Sequence, residues 1–371
     1  MIYLDHAATS PVRREVLEAM WPFLTRDFGN PASHHEVGAA ARRALDDARA
    51  RVAARVGGRS GEVTFCSGGT ESDNTAIKGI ALARPRGRHV VVSAVEHPAV
   101  LESAQRLGRI GYEVTVVPVD AAGLVDPRAL AEALRDDTTL VSVQYANNEV
   151  GTIQPIAELA AVAAERGVPF HTDAVQAAGW LDLDARALGV TAMSLSGHKL
   201  GTPKGIGVLW VDRRQPFEPL VHGGGQQDGR RSGTEDVAGA VGIATALELG
   251  HGDPVVVTQR RDRFVSRVEE AAAGSRLTGD RDRRLPGHAS FVFEQAARSG
   301  ESILVDLDAR GIVSSSGSAC AAGSDEPSHV LTAMGVQRET AQTAIRFTFD
   351  SSVGDDELDR TADLVAEIVR S

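Results

Sequence analysis

At 371 residues the chain exceeds one ordinary domain, and its 42% hydrophobic and 24% charged content is that of a globular protein that stays in water. A formal net charge of −11 argues against a nucleic-acid-binding surface, and no apolar run approaches the roughly 20 residues that span a bilayer. Two cysteines, Cys66 and Cys320, exclude a disulfide framework; no Cys/His cluster has zinc spacing, and residues 1–6 lack signal-peptide character, so a metal-free cytosolic protein is expected.

Short β-rich runs alternate with alanine-rich stretches through most of the chain. Residues 62–66, 89–93, 113–117, 140–145, 168–172, 192–195 and 206–211 read as strands. Helical patterns fall between them at 73–83, 98–106, 127–134, 156–166 and 185–188. This alternation predicts an α/β fold with a mainly parallel seven-stranded sheet covered by helices, and the continuous apolar strands imply burial on both faces. From about Ala238 longer helical patterns take over, and the charged stretch to Ala273 suits a connecting helix. Strands at 289–293, 312–314 and 344–349 and an amphipathic helix at 355–370 predict a smaller α+β unit. The boundary is placed near residue 255, giving a large domain over 14–255 and a small one from 1–13 and 256–371.

Four segments at strand ends carry chemistry. In Ser194-Leu195-Ser196-Gly197-His198-Lys199 a lysine follows an apolar strand, where ligands of open α/β sheets bind. Partly desolvated, it can attack an aldehyde; by itself it reads more readily as a surface lysine. Asp173 closes the strand at 168–172 and can pair with a pyridinium nitrogen, or simply cap a helix. Cys66-Ser67-Gly68-Gly69-Thr70-Glu71-Ser72-Asp73-Asn74 joins a strand to a helix with two glycines, so its backbone N–H groups can hold a phosphate. It is neither G-x-G-x-x-G nor a Walker sequence. His97, just after another strand, can stack on a flat heterocycle and shuttle protons, or start a helix. The run from His222 to Gly225 is weaker and reads as a flexible turn.

Together with Tyr3-Leu4-Asp5-His6-Ala7-Ala8-Thr9, Phe28-Gly29-Asn30-Pro31-Ala32-Ser33, Asn147-Asn148-Glu149, Arg231-Ser232-Gly233-Thr234 and Ser315-Ser316-Gly317-Ser318-Ala319-Cys320, these segments resemble the cysteine desulfurases. These are a branch of the class V aminotransferase family with the fold type I pyridoxal-phosphate architecture. The resemblance runs nearly the whole length and implies pyridoxal 5'-phosphate as cofactor. It implies that Lys199 carries the cofactor as a Schiff base, that Asp173 pairs with the pyridine nitrogen, and that Gln176 bonds the ring hydroxyl. His97 then stacks on the ring and moves protons. Gly69, Thr70, Ser196 and His198 hold the phosphate, with Thr234 reaching the other subunit's site of a homodimer. Asn148 and Arg346 grip the substrate carboxylate.

Cys320 decides the chemistry. It lies among small residues that favour a mobile loop, whereas Cys66 ends an apolar strand and is expected to pack. The resemblance implies conversion of L-cysteine to L-alanine, with sulfur taken by Cys320 as a persulfide and passed to a protein acceptor. A long cysteine loop is similar to that of group I, the iron–sulfur-cluster and nitrogen-fixation type. Iron–sulfur cluster assembly and thio-cofactor or tRNA thiolation are then the candidate destinations. A selenocysteine lyase or another enzyme of this family is the first alternative, and a non-catalytic sulfur-carrier or assembly subunit the second. Asp350-Ser351-Ser352 departs from the Gly-Arg of many relatives, and the sequence ends at Ser371 without their longer tail.

Overall fold

A computed structural model describes residues 1–83, 86–294, 298–317 and 326–370. The chain opens with β1 (Ile2–Tyr3), α1 (Arg14–Thr25) and α2 (Glu36–Arg55), then β2 (Val63–Cys66) and α3 (Gly69–Ala83). It continues through β3 (His89–Ser93), α4 (Pro98–Gly108), β4 (Glu113–Val117), α5 (Pro127–Ala133) and β5 (Thr138–Ser142). Next come α6 (Ile156–Glu165), β6 (Phe170–Asp173), β7 (Ala192–Ser196), β8 (Gly207–Val211), α7 (Val237–Leu249) and α8 (Pro254–Ala271). The last part holds β9 (Ser275–Leu277), β10 (His288–Phe293), α9 (Gly300–Ala309) and β11 (Ile312–Val313). It ends with α10 (His329–Ala333), α11 (Arg338–Ala341), β12 (Ile345–Thr348) and α12 (Asp355–Arg370).

Seven strands form one sheet in the order β2-β8-β7-β6-β5-β3-β4, parallel except for β8, which runs antiparallel to both neighbours. Each face carries its own apolar core. Val91, Val141, Phe170 and Trp210 point to one, and Val90, Val92, Leu140 and Leu209 to the other. Alternate residues thus enter opposite cores, which is why these strands read as unbroken apolar runs. This is the α/β architecture with a mainly parallel seven-stranded sheet that the alternation predicted.

A third core gathers β10 and β12, flanked by β9, with α12 and α8, whose Phe264 meets Phe291 and Phe347 edge-on. The N-terminus belongs here. Strand β1 pairs in parallel with β11, Leu4 is fully buried in this core, and Leu4 O accepts from Thr348 N.

Differences from expectation have local causes. Residues 185–188 are a turn, not a helix: Asp184 Oδ1 accepts from Arg186 N and Ala187 N, and Gly189 at φ +71° ends it. The stretch from Ala238 to Ala273 is two helices, split where Gly250 takes φ +58° and Asp253 caps a new helix with Pro254 in its first turn. Helix α3 begins four residues before the expected 73, at Gly69, because Glu71 Oε2 accepts from Ser67 N and closes its first turn. Helices α1 and α2 occupy a stretch for which sequence patterning named no element; both pack against the almost wholly buried α7.

Candidate active site

The carboxyl ends of β2, β3, β6 and β7 open into a cavity of about 660 Å³. Lys199, His97, Asp173, Gln176, Gly69, Thr70, Ser196, His198, Asn148 and Arg346 all line it. Ten residues chosen from separate segments therefore converge on one space. Thr234 is exposed and is not among the lining residues. Cys320 lies outside the described residues; Gly317 and Pro327, on either side of it in sequence, both line the cavity.

Lys199 sits in the single helical turn Gly197–Lys199 that follows β7. Its Nζ donates to Ala8 O at 2.7 Å and to Ala7 O. Those carbonyls are held in place by the N-terminal turn, where Tyr3 Oη donates to Thr9 O at 2.7 Å and Ala7 N to Thr348 Oγ1 at 2.8 Å. Gln176 Nε2 donates to Ala7 O at 3.0 Å, tying the same turn to the large sheet. The Tyr3–Thr9 motif therefore forms the wall facing the lysine.

Asp173 ends β6, and its Oδ1 accepts from Val175 N at 2.9 Å. Burial raises its pKa, while His97, the Val175 amide and Lys199 pull it down. His97 caps α4: its Nδ1 accepts from Ala99 N at 3.1 Å, so Nε2 is left to carry the ring proton. Desolvation lowers its pKa, against the attraction of Asp173. His198 is pushed down to about 4 by burial and by the charges of Lys199 and Lys204, and its Nδ1 pairs with Thr9 Oγ1 at 3.1 Å. A neutral imidazole results.

Gly69 opens α3 directly opposite Ser196. A Cβ at Gly69 would lie 2.8 Å from Val175 Cγ2 and 3.3 Å from Ser196 Cβ, so a side chain there would collide with this wall of the cavity. Unpaired N–H groups at the start of a 15-residue helix, beside Thr70, Ser196 and His198, form a donor set for an anion.

Arg346, expected at a substrate carboxylate, is 1% exposed on β12. Its Nη2 donates to Asp5 Oδ1 at 2.6 Å, and Nη1 to Asn148 O at 2.7 Å and Gly317 O at 3.2 Å. Its Nε is buried without a partner. The guanidinium is thus fixed at the cavity wall beside Asn148.

Cys66 is 3% exposed, and burial pushes its thiol up to about 12. It packs, as expected, and is no nucleophile at neutral pH.

Sequence reasoning missed several carboxyls around the cavity. Asp73 and Glu149 line it, and Glu96 lies buried behind His97. Glu149 Oε2 accepts from Ser328 Oγ, and His329 Nε2 pairs with Glu96 O at 2.9 Å, so both anchor residues 328–329 to the large sheet. For Asp73 a signal existed: it falls at helical spacing with Ala76, Ile77 and Ile80 on the buried face of α3.

Comparison with known proteins agrees with this geometry. The family model described as Aminotransferase class-V matches residues 2–360. This chain belongs to the class V aminotransferase family. Among its relatives are the cysteine desulfurase IscS of Dictyoglomus turgidum, 46% identical over 99% of this chain and 94% of that protein, and IscS of Methanosarcina thermophila, 44% identical over 100% and 92%. A solved NifS-like protein superposes with a TM-score of 0.92 at 34% identity, covering 100% of this chain and 99% of that one. SspA in complex with cysteine gives 0.85 at 36%, covering 94% and 99%.

The family's cofactor, pyridoxal phosphate, fits the residues present. A lysine for its aldehyde, a buried carboxyl for its ring nitrogen and the α3 donor set for its phosphate share one cavity. With no side chain at Gly69, where a Cβ would crowd Val175 and Ser196, the backbone N–H groups at the start of α3 stay open to such a phosphate.

Proposed function

We propose that this chain is a pyridoxal-phosphate-dependent cysteine desulfurase that converts L-cysteine to L-alanine and takes the sulfur onto Cys320. The observation that carries this reading is the convergence of Lys199, Asp173, Arg346 and the α3 N-terminus on one cavity. Its relatives' names point the same way, and a neighbour described with bound cysteine supports that substrate.

When bound, the cofactor supplies an aldehyde for Lys199 and an electron sink stabilised by Asp173. Gly69, Thr70, Ser196 and His198 hold its phosphate, and Gln176 its ring hydroxyl. Arg346 and Asn148 bind the substrate carboxylate, a task suited to the fork of a guanidinium. The Lys199 amine moves the substrate α-proton, and His97, which lines the same cavity, holds a proton at Nε2. The Cys320 thiolate attacks the substrate sulfur. An S–S bond forms, the substrate C–S bond breaks, and protonation of the carbon gives alanine and a Cys320 persulfide.

The large domain spans 14–255 and the small one 1–13 with 256–371, which agrees with the place of Leu4 in the core around β10 and β12. The protein works as a homodimer, with exposed Thr234 reaching the partner's phosphate. The persulfide serves a protein acceptor for iron–sulfur cluster assembly or for thio-cofactor or tRNA thiolation, in the cytoplasm. Among the described residues no helix is long and apolar enough to cross a membrane.

The test is to incubate the purified protein with cysteine and follow alanine and the mass of Cys320. One added sulfur with equimolar alanine is expected. Sustained turnover by a Cys320→Ser variant would overturn the scheme, and a strong preference for selenocysteine would reassign the substrate.

A further inference from the structure

Behind Asp173 lies a carboxyl that the reaction above does not use. Asp73, 1% exposed on α3, is in hydrogen-bond contact with the Asp173 carboxyl and with the Ser194 side chain, while its Oδ1 has no hydrogen-bond partner. Its surroundings supply almost no positive charge. His171 on β6 brings Nε2 to 3.7 Å from Asp73 Oδ1, yet both ring nitrogens already engage the Ser142 and Ser194 hydroxyls at 2.8 and 2.9 Å. Burial holds that imidazole down to about 3, so it is neutral. Glu96, from the turn after β3, is fully buried and brings no positive charge to offset an Asp73 carboxylate. The two basic groups on this side, His97 and Lys199, bear on Asp173.

Two carboxyls in contact and out of water cannot both ionise; one proton between them converts repulsion into an O–H···O⁻ bond. Which oxygen keeps that proton follows from position. Asp173 has the Val175 amide, His97 and Lys199 to stabilise its charge, whereas Asp73 faces Glu96 and a neutral imidazole. We propose that Asp73 is a neutral acid that donates its proton to ionised Asp173, a positioning residue that keeps Asp173 charged and aimed at the cofactor's ring nitrogen. Burial alone favours a neutral Asp173, which would leave the ring nitrogen without its counter-ion. The O–H donor from Asp73 opposes this. The inference rests on the pyridoxal-phosphate reading for its consequence, but not for the proton itself.

The experiment compares full-length wild type with Asp73→Asn and Asp73→Leu. Before cofactor is added, infrared difference spectra at about neutral pH are expected to show a neutral-carboxyl component lost in Asp73→Asn, with Glu96→Gln identifying the component that belongs to Glu96. An unchanged neutral-carboxyl band in Asp73→Asn overturns the proposal. With pyridoxal phosphate added, Asp73→Asn, whose amide still donates, should hold it within about threefold of wild type, and Asp73→Leu at least about tenfold more weakly. Equal affinity in all three also overturns it. If wild type fails to bind the cofactor, the functional reading fails, and the infrared component still decides whether Asp73 holds the proton.

Discussion

Asp5 and Arg346, 341 residues apart in sequence, close a 2.6 Å ion pair at the wall of the cavity. One oxygen of Asp5 thereby holds the guanidinium whose other nitrogen bonds the Asn148 and Gly317 carbonyls. Because Arg346 is buried, removing its partner leaves a charge with little water to replace it. Asp5→Ala is expected to lower stability by roughly 1–3 kcal/mol, read from urea unfolding. A stability equal to wild type would show that the pair contributes nothing to the fold.

Arg346→Lys keeps the charge and loses the fork. The lysine ammonium can satisfy Asp5 or a substrate carboxylate, but not two oxygens side by side together with the Asn148 carbonyl. KM for cysteine should rise about 10- to 100-fold, with a smaller loss in kcat. A fall in kcat at unchanged KM would place Arg346 in the chemistry instead of in binding.

Lys199→Ala removes the amine that contacts the Ala7 and Ala8 carbonyls. The variant should fold, since the lysine projects into a cavity and not into a core. It should lose the visible absorbance of lysine-bound cofactor and reduce alanine formation by at least about a thousandfold. Absorption spectra and circular dichroism check the two halves separately.

The two cysteines should separate cleanly. Cys66, buried and held near 12, is protonated at neutral pH. Cys66→Ala should keep activity within about threefold of wild type and cost stability only as a small core truncation does. Cys320→Ser should retain the cofactor absorbance and lose persulfide formation. Mass spectrometry after brief alkylation should find Cys320 modified first; preferential labelling of Cys66 would contradict its burial.

The parts of this fold legible in the sequence are those where one physical demand dominates. Burial on both faces forced apolar runs at 89–93 and 206–211, and these were found almost to the residue. Strand β5 was read too late because it begins with Thr138 and Thr139, which are buried as hydrogen-bonding partners of His89, Arg135 and Gly87 and not as apolar groups. Lys199, Asp173 and His97 stood at or just after strand ends, where a polar residue breaks an apolar run. Asp73 did not. An acid near a helix start commonly answers the helix dipole, and only its helical spacing with Ala76, Ile77 and Ile80 set it on the buried face. Asp5 stayed silent for a different reason: its partner lies on a strand at the far end of the chain, and local pattern carries no record of that pairing.

Stability against pH should report the buried acid and base separately. His171 has its folded pKa depressed from 6.5 to about 3 by burial. Below 6.5 the unfolded chain binds a proton there that the folded chain refuses, so this stabilising contribution is complete above 6.5 and is lost as pH falls toward 3. Glu96 acts in the opposite sense. Its folded pKa is raised from 4.5 to about 8, so the folded chain keeps a proton that the unfolded chain releases. Its contribution is complete below 4.5 and is lost as pH rises toward 8. Each slope is at most about 1.4 kcal/mol per pH unit for one group. Unfolding in urea from about pH 4 to 8 should therefore show His171→Gln losing the acid-side fall and Glu96→Gln losing the alkaline-side fall, each relative to wild type. Glu96→Gln also keeps an oxygen to accept from Gln144 N, so the change in slope should come with little loss of stability at its alkaline end. Parallel curves for wild type and Glu96→Gln would mean that the carboxyl is ionised in the folded protein, and that a positive group compensates it.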